Sequence, residues 1–354
     1  MNATKKTLLV GLVVLVCLGF AFQDEWKQGI ALYKQGRYNE AIQRFNADID
    51  LYPEWYFLPF MIGRCHMEMK KYNEALAELN KASKLAKDNT EKFNVNRDIA
   101  AIYYAQKKYN DAIKLMTASI NLAAKAKQKA ELYKLRGLSY RMLNTYKNAA
   151  ADLSQSFKFN PKDFKVASNL GYSYYNLKDS QKAADAYSKA IELNPRDLSS
   201  LLHLGRSYLD IQDYKSALDV AQKAVNLYPS NVQLRNLLGN AQLGNKNYNE
   251  AIKAFEVVVK ADEKNGAAYK SLGEAYKMTE QYGEAVDNLL MAARFMPNDA
   301  SIFDSLGFIY EVNKSYEDSV RAYEQAYSIN PDPKYKASIE RVKKRMEQEE
   351  VTGE

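Results

Sequence analysis

Few side chains in this chain could do covalent or metal chemistry. Two histidines, His66 and His203, and two cysteines, Cys17 and Cys65, are its only imidazoles and thiols. A zinc site needs Cys or His at short repeated spacing, and a nucleophile needs a base held beside it; neither pattern occurs. His66 stands in a slot where tyrosine recurs and reads as a core histidine, while Cys65 reads as a small buried hydrophobe. No G-x-S-x-G, H-E-x-x-H or glycine-rich phosphate loop is present, and the acidic residues are scattered. These residue types argue against an enzyme and call for no metal or cofactor.

Nucleic acid is disfavoured as well. The chain has 50 Lys and Arg against 43 Asp and Glu, a net charge of +7 that falls to +5 if Lys5 and Lys6 are removed, whereas a nucleic-acid surface needs a dense basic stripe. Attraction to an anionic surface stays open.

The elements that must position any binding residue are set by a repeat. Small residues recur at Ala41, Ala75, Ala112, Ala149, Ala183, Ala217, Ala251, Ala285 and Ser319, in steps of 34 residues apart from two steps of 37 that flank Ala112. Twelve residues before each stands a glycine, from Gly29 and Gly63 through Gly137, Gly171, Gly205, Gly239, Gly273 and Gly307, with Ala100 in the remaining slot. A tyrosine precedes the small residue by three positions in every repeat but that of Ser180, and a proline follows by twelve in six: Pro53, Pro161, Pro195, Pro229, Pro297 and Pro331. Glycine and the small residue let two helices approach closely, offsetting the roughly 1 kcal/mol that glycine costs within a helix. Proline ends each repeat, helped by Asn160, Asn194 and Asn330 just before it. Apolar residues at helical spacing, as in Leu201, Leu204, Tyr208 and Ile211, give each hairpin a face that it buries against its neighbours.

The pattern L-G-x-x-Y, A-x-x-x-F, P resembles the tetratricopeptide repeat: Leu170, Gly171, Tyr174, Ala183, Tyr187, Pro195 and again Leu272, Gly273, Tyr276, Ala285, Leu289, Pro297. The family's tryptophan is mostly missing. The resemblance implies an all-α solenoid, a right-handed superhelix of nine hairpins at about 23–55, 56–92, 93–129, 130–163, 164–197, 198–231, 232–265, 266–299 and 300–332. A capping helix over 333–350, with Tyr335, Ile339, Val342 and Met346 on one side, and a frayed tail 351–354 complete it. The 37-residue steps predict either longer helices or longer connecting turns in the third and fourth repeats.

The resemblance also implies where a ligand sits. In this family the first helices of successive hairpins line a groove, which here corresponds to positions three before, one after and four after the repeat glycine. Those positions give Trp26, Tyr33, Phe60, Arg64, Met67, Arg97, Tyr104, Lys134, Arg141, Tyr172, Tyr175, Arg206, Asn236, Asn240, Lys270, Lys277 and Phe308. Each of these also reads as ordinary solvated helix face; together they form a basic, aromatic lining suited to an extended or helical peptide of acidic character, with the middle repeats as its centre. The family's carboxylate clamp is absent, because Lys134 is followed four residues on by Leu138 and Lys270 by Glu274. Asn169 does not begin an asparagine ladder.

Residues 1–22 are a separate segment. Lys5 and Lys6 precede an uncharged run, Leu8 to Phe22, and Gly19 and Ala21 have signal-peptidase spacing. A cleaved secretory signal ending at Ala21 is the first reading; an uncleaved anchor and lipidation at Cys17 are the alternatives. Each places the repeats outside the cytoplasm, with any membrane link through this segment alone. The expected function is a non-enzymatic extracytoplasmic scaffold or adaptor that binds a segment of a protein partner, in an envelope, secretion or pilus-like assembly. The alternative is a receptor for a non-protein ligand such as a cell-wall glycan or a transporter's cargo.

Overall fold

In the computed structural model, residues 25–352 are described; the segment 1–22, with its signal, anchor and lipidation readings, lies outside them. Among the described residues there is no strand. Nine antiparallel hairpins follow one another: α1 (Glu25–Lys34) with α2 (Tyr38–Ala47), α3 (Phe57–Glu68) with α4 (Tyr72–Leu85), α5 (Asn89–Ala105) with α6 (Tyr109–Ser119), α7 (Ala126–Met142) with α8 (Tyr146–Phe159), α9 (Phe164–Asn176) with α10 (Ser180–Leu193), α11 (Leu198–Asp210) with α12 (Tyr214–Leu227), α13 (Val232–Gly244) with α14 (Tyr248–Ala261), α15 (Gly266–Met278) with α16 (Tyr282–Phe295), and α17 (Ala300–Val312) with α18 (Tyr316–Ile329). One more helix, α19 (Pro333–Thr352), follows. The chain divides into two compact units, Met1–Asn169 and Leu170–Glu354, so the boundary falls inside α9.

The repeat markers do the packing that their sizes demand. All nine small residues, Ala41 to Ser319, are fully buried. A Cβ on Gly273 would stand 2.7 Å from Leu289 Cγ and 3.2 Å from the backbone oxygen of Ala285, so α15 approaches α16 only because this position has no side chain. The residue that meets the glycine is the one four after the small marker, as in Gly171 against Tyr187 and Gly239 against Phe255, except at Gly205, which meets Leu237 of the next hairpin. In the last hairpin Ser319 donates to Gly307 O at 2.7 Å, which satisfies a hydroxyl where the other hairpins use alanine.

Each hairpin turn is closed in the same way. The amide two residues before the first residue of the second helix donates three residues back, and the next amide five residues back, as in Lys178 to Tyr175 O at 3.0 Å and Asp179 to Tyr174 O at 3.0 Å. This bonding requires a left-handed residue. Gly36 supplies it once, but Lys70, Lys107, Asn144, Lys178, Gln212, Lys246, Glu280 and Lys314 adopt it with φ of 56–64°. The tyrosines that follow begin the second helices, and several pack on the first helix, as Tyr104 does with Tyr109 at 5.5 Å.

The 37-residue steps lengthen helices. α5 and α7 each have 17 residues, where α9, α11, α13, α15 and α17 have 13. The extra residues are at the front: Asp88 accepts from the amides of Thr90 and Glu91 at 2.7 and 2.8 Å, and Glu91 accepts in return from the Asp88 amide at 3.4 Å and from that of Lys87 at 2.6 Å, a capping box that starts α5 at Asn89. Counting back from Ala100 and Gly137 places the starts of the third and fourth hairpins at 93 and 130; the helices begin four residues sooner.

In unit 1 the first three hairpins share one core around Phe45, Leu58, Leu79, Val95 and Ile102. In unit 2 each second helix packs on the first helix of the next hairpin, and first helices also touch in series, α11 to α13 to α15 to α17. α19 occupies the place of a tenth first helix, burying Tyr335 and Val342 against Tyr323 and Ala326. Its residue in the glycine slot, 34 after Gly307, is Arg341. Arg341 and Arg345 reach back to the buried carboxylate of Glu311 at 2.7 and 2.9 Å.

Candidate binding ladder on the first helices

The first-helix positions beside the repeat glycine differ in the two units. In unit 1 Arg64, Arg97 and Lys134 are paired with carboxylates. Arg64 lies over the rings of Tyr33 and Phe60 at 5.3 and 5.7 Å, and its Nε is 3.4 Å from Asp98 Oδ2. Arg97 takes the other oxygen of Asp98 at 2.8 Å and Glu131 at 3.6 Å. Asp98, 4 % exposed, thus holds two guanidinium groups from neighbouring helices. Lys134 pairs with Asp163 at 2.7 Å. Phe60 is buried, Met67 packs against the first core, and Arg141 lies against Met142 Sδ at 3.7 Å. Tyr33 donates to Glu68 at 3.2 Å, and burial, opposed by the charge of Arg64, pushes its phenol up to about 12. Trp26 meets Trp55 at 5.3 Å and Phe57 at 6.0 Å, and its amide donates to the buried Asp48 at 2.8 Å.

In unit 2 the ladder of residues one after the glycine runs Tyr172, Arg206, Asn240, Glu274, Phe308. At its near end Tyr172 and Tyr175 stand edge-on to His203 at 6.1 and 5.8 Å, and His203 stacks on Tyr187 at 5.5 Å. Its Nδ1 lies 2.8 Å from Ser199 O, which fixes the ring on α11 one turn before Arg206. Arg206 is half-buried and makes no ion pair or hydrogen bond among the described residues. Asn240 donates to Asn236 O at 2.9 Å, leaving the two amides side by side on α13. Farther along, Lys270 pairs with Asp299 at 2.7 Å, and Lys277 bonds Ser305 at 2.7 Å and pairs with Glu274. Phe308, Val312 and Met278 end the ladder as exposed apolar side chains.

Sequence spacing named the positions but not their partners. Lys134 with Asp163 and Lys270 with Asp299 are the same contact four repeats apart: a lysine three before the glycine reaches an acid at the start of the next hairpin. The 29-residue separation, present twice, was the available signal. His203, absent from the expected lining, is the centre of the unit 2 aromatic cluster; its signal was tyrosine on the preceding first helix. His66 is half-buried at the end of α3. Burial pushes the Cys65 thiol up to about 12, so it is a poor nucleophile near neutrality. Among the described residues no group of three His, Cys, Asp or Glu could hold a metal ion, and no helix is long and apolar enough to cross a membrane. A cleft of about 860 Å³ beside Phe295, Asp299 and Tyr335 lies at the connections between hairpins rather than along the ladder.

Repeated two-helix units, each closed by the same turn, make this a helical-repeat protein of the kind that binds other proteins. Family models place it more closely. Those for the tetratricopeptide repeat match residues 25–54, 60–89, 165–197, 236–300 and 300–333, and the chain is a tetratricopeptide-repeat protein. A model for anaphase-promoting complex, cyclosome, subunit 3 also matches, over residues 186–258. No curated protein matches the chain. Among solved structures, the C-terminal part of a tetratricopeptide-repeat protein from Cytophaga hutchinsonii is similar at 18% identity and a TM-score of 0.56, over 70% of this chain and 99% of that one. A tetratricopeptide repeat protein from Parabacteroides merdae is similar at 16% identity and 0.48, over 71% and 98%. MamA from Desulfovibrio magneticus is similar at 22% identity and 0.45, over 48% and 96%. At these identities the likeness is one of fold. This architecture is a non-catalytic protein-binding fold, typical of interaction scaffolds.

Proposed function

We propose that this protein is an extracytoplasmic scaffold that holds an extended, acidic segment of a protein partner along the first-helix ladder of unit 2. The observation that carries the reading is Arg206. Of the lining cations, Arg64, Arg97, Lys134, Lys270 and Lys277 each have a carboxylate at hand and Arg141 lies against Met142, while Arg206 makes no ion pair among the described residues and follows by one turn of α11 the His203 ring that Tyr172 and Tyr175 meet edge-on. A partner carboxylate supplies the missing charge, the rings give a rigid apolar wall, and Asn236 and Asn240 offer amides to a peptide backbone. The export half of the reading rests on Lys5, Lys6 and the apolar run Leu8 to Phe22.

The test is selection of acidic peptides from a displayed library on the full chain, followed by titration against Arg206→Glu. Reversing this charge weakens the selected peptides by about 2 kcal/mol or more, with helix content unchanged. Equal affinity in the folded variant moves the site elsewhere. Binding that needs added cell-wall glycan and no peptide replaces the partner class.

A further inference from the structure

The first hairpin departs from the repeat at one edge. α2 has 10 residues where the second helices α4, α8, α10, α12, α14, α16 and α18 have 14. Asp48 to Tyr56 run as successive turns instead, with the amides of Leu51 and Tyr52 donating to Asp48 O at 3.1 and 3.0 Å and that of Trp55 to Tyr52 O at 3.1 Å. Asp48 pins this loop to the first turn of α1 by accepting the Trp26 amide. The loop then presents Leu51 and Tyr52, 46 % and 44 % exposed, beside a ring cluster in which Trp55 stacks on Phe57 at 4.9 Å, crosses Trp26 at 5.3 Å and meets Tyr52 at 5.9 Å. Both tryptophans of the chain are in this cluster.

Covalent reach says what covers it. Phe22, the last residue of the apolar run, is three residues before Glu25, so whatever the conformation between them its Cα lies within about 11 Å of that helix start. A 15-residue run measures about 22 Å as a helix, short of a bilayer's hydrocarbon core of ~30 Å. Tryptophan and tyrosine favour the layer just outside that core, several ångströms deep, where an apolar ring body and a polar N–H or O–H are both accommodated.

We propose that this N-terminal edge of unit 1, formed by Trp26, Leu51, Tyr52 and Trp55, lies in the headgroup layer of a phospholipid bilayer. The edge supplements a run too short to span comfortably, and holds the hairpin against the surface instead of leaving it on a free tether. The proposal rests on the uncleaved-anchor reading of residues 1–22, the alternative to cleavage after Ala21, and is independent of the unit 2 ladder.

The test uses the full 354-residue chain, synthesised cell-free so that residues 1–22 remain attached, in vesicles of phosphatidylcholine and phosphatidylglycerol. Lipids brominated close to the headgroup take away about half of the tryptophan emission or more, and lipids brominated near the chain end take away much less. Trp26→Phe isolates Trp55, and its quenching persists. Leu51→Ser with Tyr52→Ser, both exposed, lowers that quenching without loss of helix content. Three results overturn the proposal: a vesicle-bound chain whose tryptophans emit equally in brominated and plain lipid, failure of the chain to bind vesicles, or the same emission change in lipid-free chain as it dimerises. Peptide affinity at Arg206, measured on the same vesicles, fails or holds separately.

Discussion

Glycine at Gly273 and at Gly283 should respond to the same substitution with opposite sign. A Cβ at Gly273 would meet Leu289 Cγ at 2.7 Å, Leu289 Cδ2 at 3.0 Å and the Ala285 carbonyl at 3.2 Å; the leucine has room to turn only by losing its place in the core, and the carbonyl belongs to a helix backbone. Overpacking of this kind costs about 1–3 kcal/mol, and the gain in helix propensity returns roughly 1, so Gly273→Ala should destabilise by up to about 2 kcal/mol. Gly283 is the second residue of α16 and its Cβ would meet nothing within 4 Å. Gly283→Ala should therefore stabilise, by a few tenths to about 1 kcal/mol. Because repeat arrays open locally, the assay is native-state amide exchange of α15 and α16, read beside urea unfolding followed by helix content. Equal stabilisation by both substitutions would refute the reasoning that the repeat glycine exists to bring its helix against the next.

Asp98→Asn leaves Arg64 and Arg97 facing each other across a neutral amide, and should destabilise unit 1 by about 2–4 kcal/mol in urea unfolding; a change under a few tenths would mean the cluster is solvent-screened. The Glu311 carboxyl is held below its ordinary value of 4.5, first by the hydrogen bond from Arg341 and against the effect of burial. A lowered value contributes stability that is full above the ordinary one and is lost as the pH falls through the lowered one, so exchange protection of α19 should drop only under acid conditions, and Glu311→Gln should flatten that dependence. Lys107→Gly, at φ 60°, removes a strained left-handed lysine; relief of about 1 kcal/mol less the added freedom of the unfolded chain leaves a net gain of a few tenths in urea unfolding. Cys65, with its thiol near 12, should react with alkylating reagents only as fast as the second hairpin opens, which exchange at α3 measures independently.

The fold was legible because its signals are steric and recur. Ala41 to Ser319 had to be small, Gly273 had to lack a side chain, and the tyrosine before each small residue starts a helix, so counting alone located the hairpins. The early start of α5 was missed because it depends on a local cap, Asp88 with Glu91, that phasing on the glycine slot ignores. The candidate lining was legible as positions and not as chemistry. Arg97 and Lys134 read as free cations until Asp98 and Asp163 appear beside them; one partner is adjacent in sequence and the other 29 residues on, and neither distance is helical spacing. The loop at Leu51 to Trp55 broke the period without breaking the marker pattern, since Pro53 stayed in phase while α2 ended early.

Arg341 in the glycine slot has a consequence for self-association. Stacked hairpins offer, at an unfinished edge, a cleft shaped to receive the next pair, and a second molecule's hairpin could fill it and continue as a head-to-tail fibre. A guanidinium turned back to Glu311, with Lys343 and Lys344 on the same helix, puts bulk and charge where a neighbouring copy would need smooth contact. A helix laid against α19 at Arg341 could not come as close as α16 comes to α15 at Gly273.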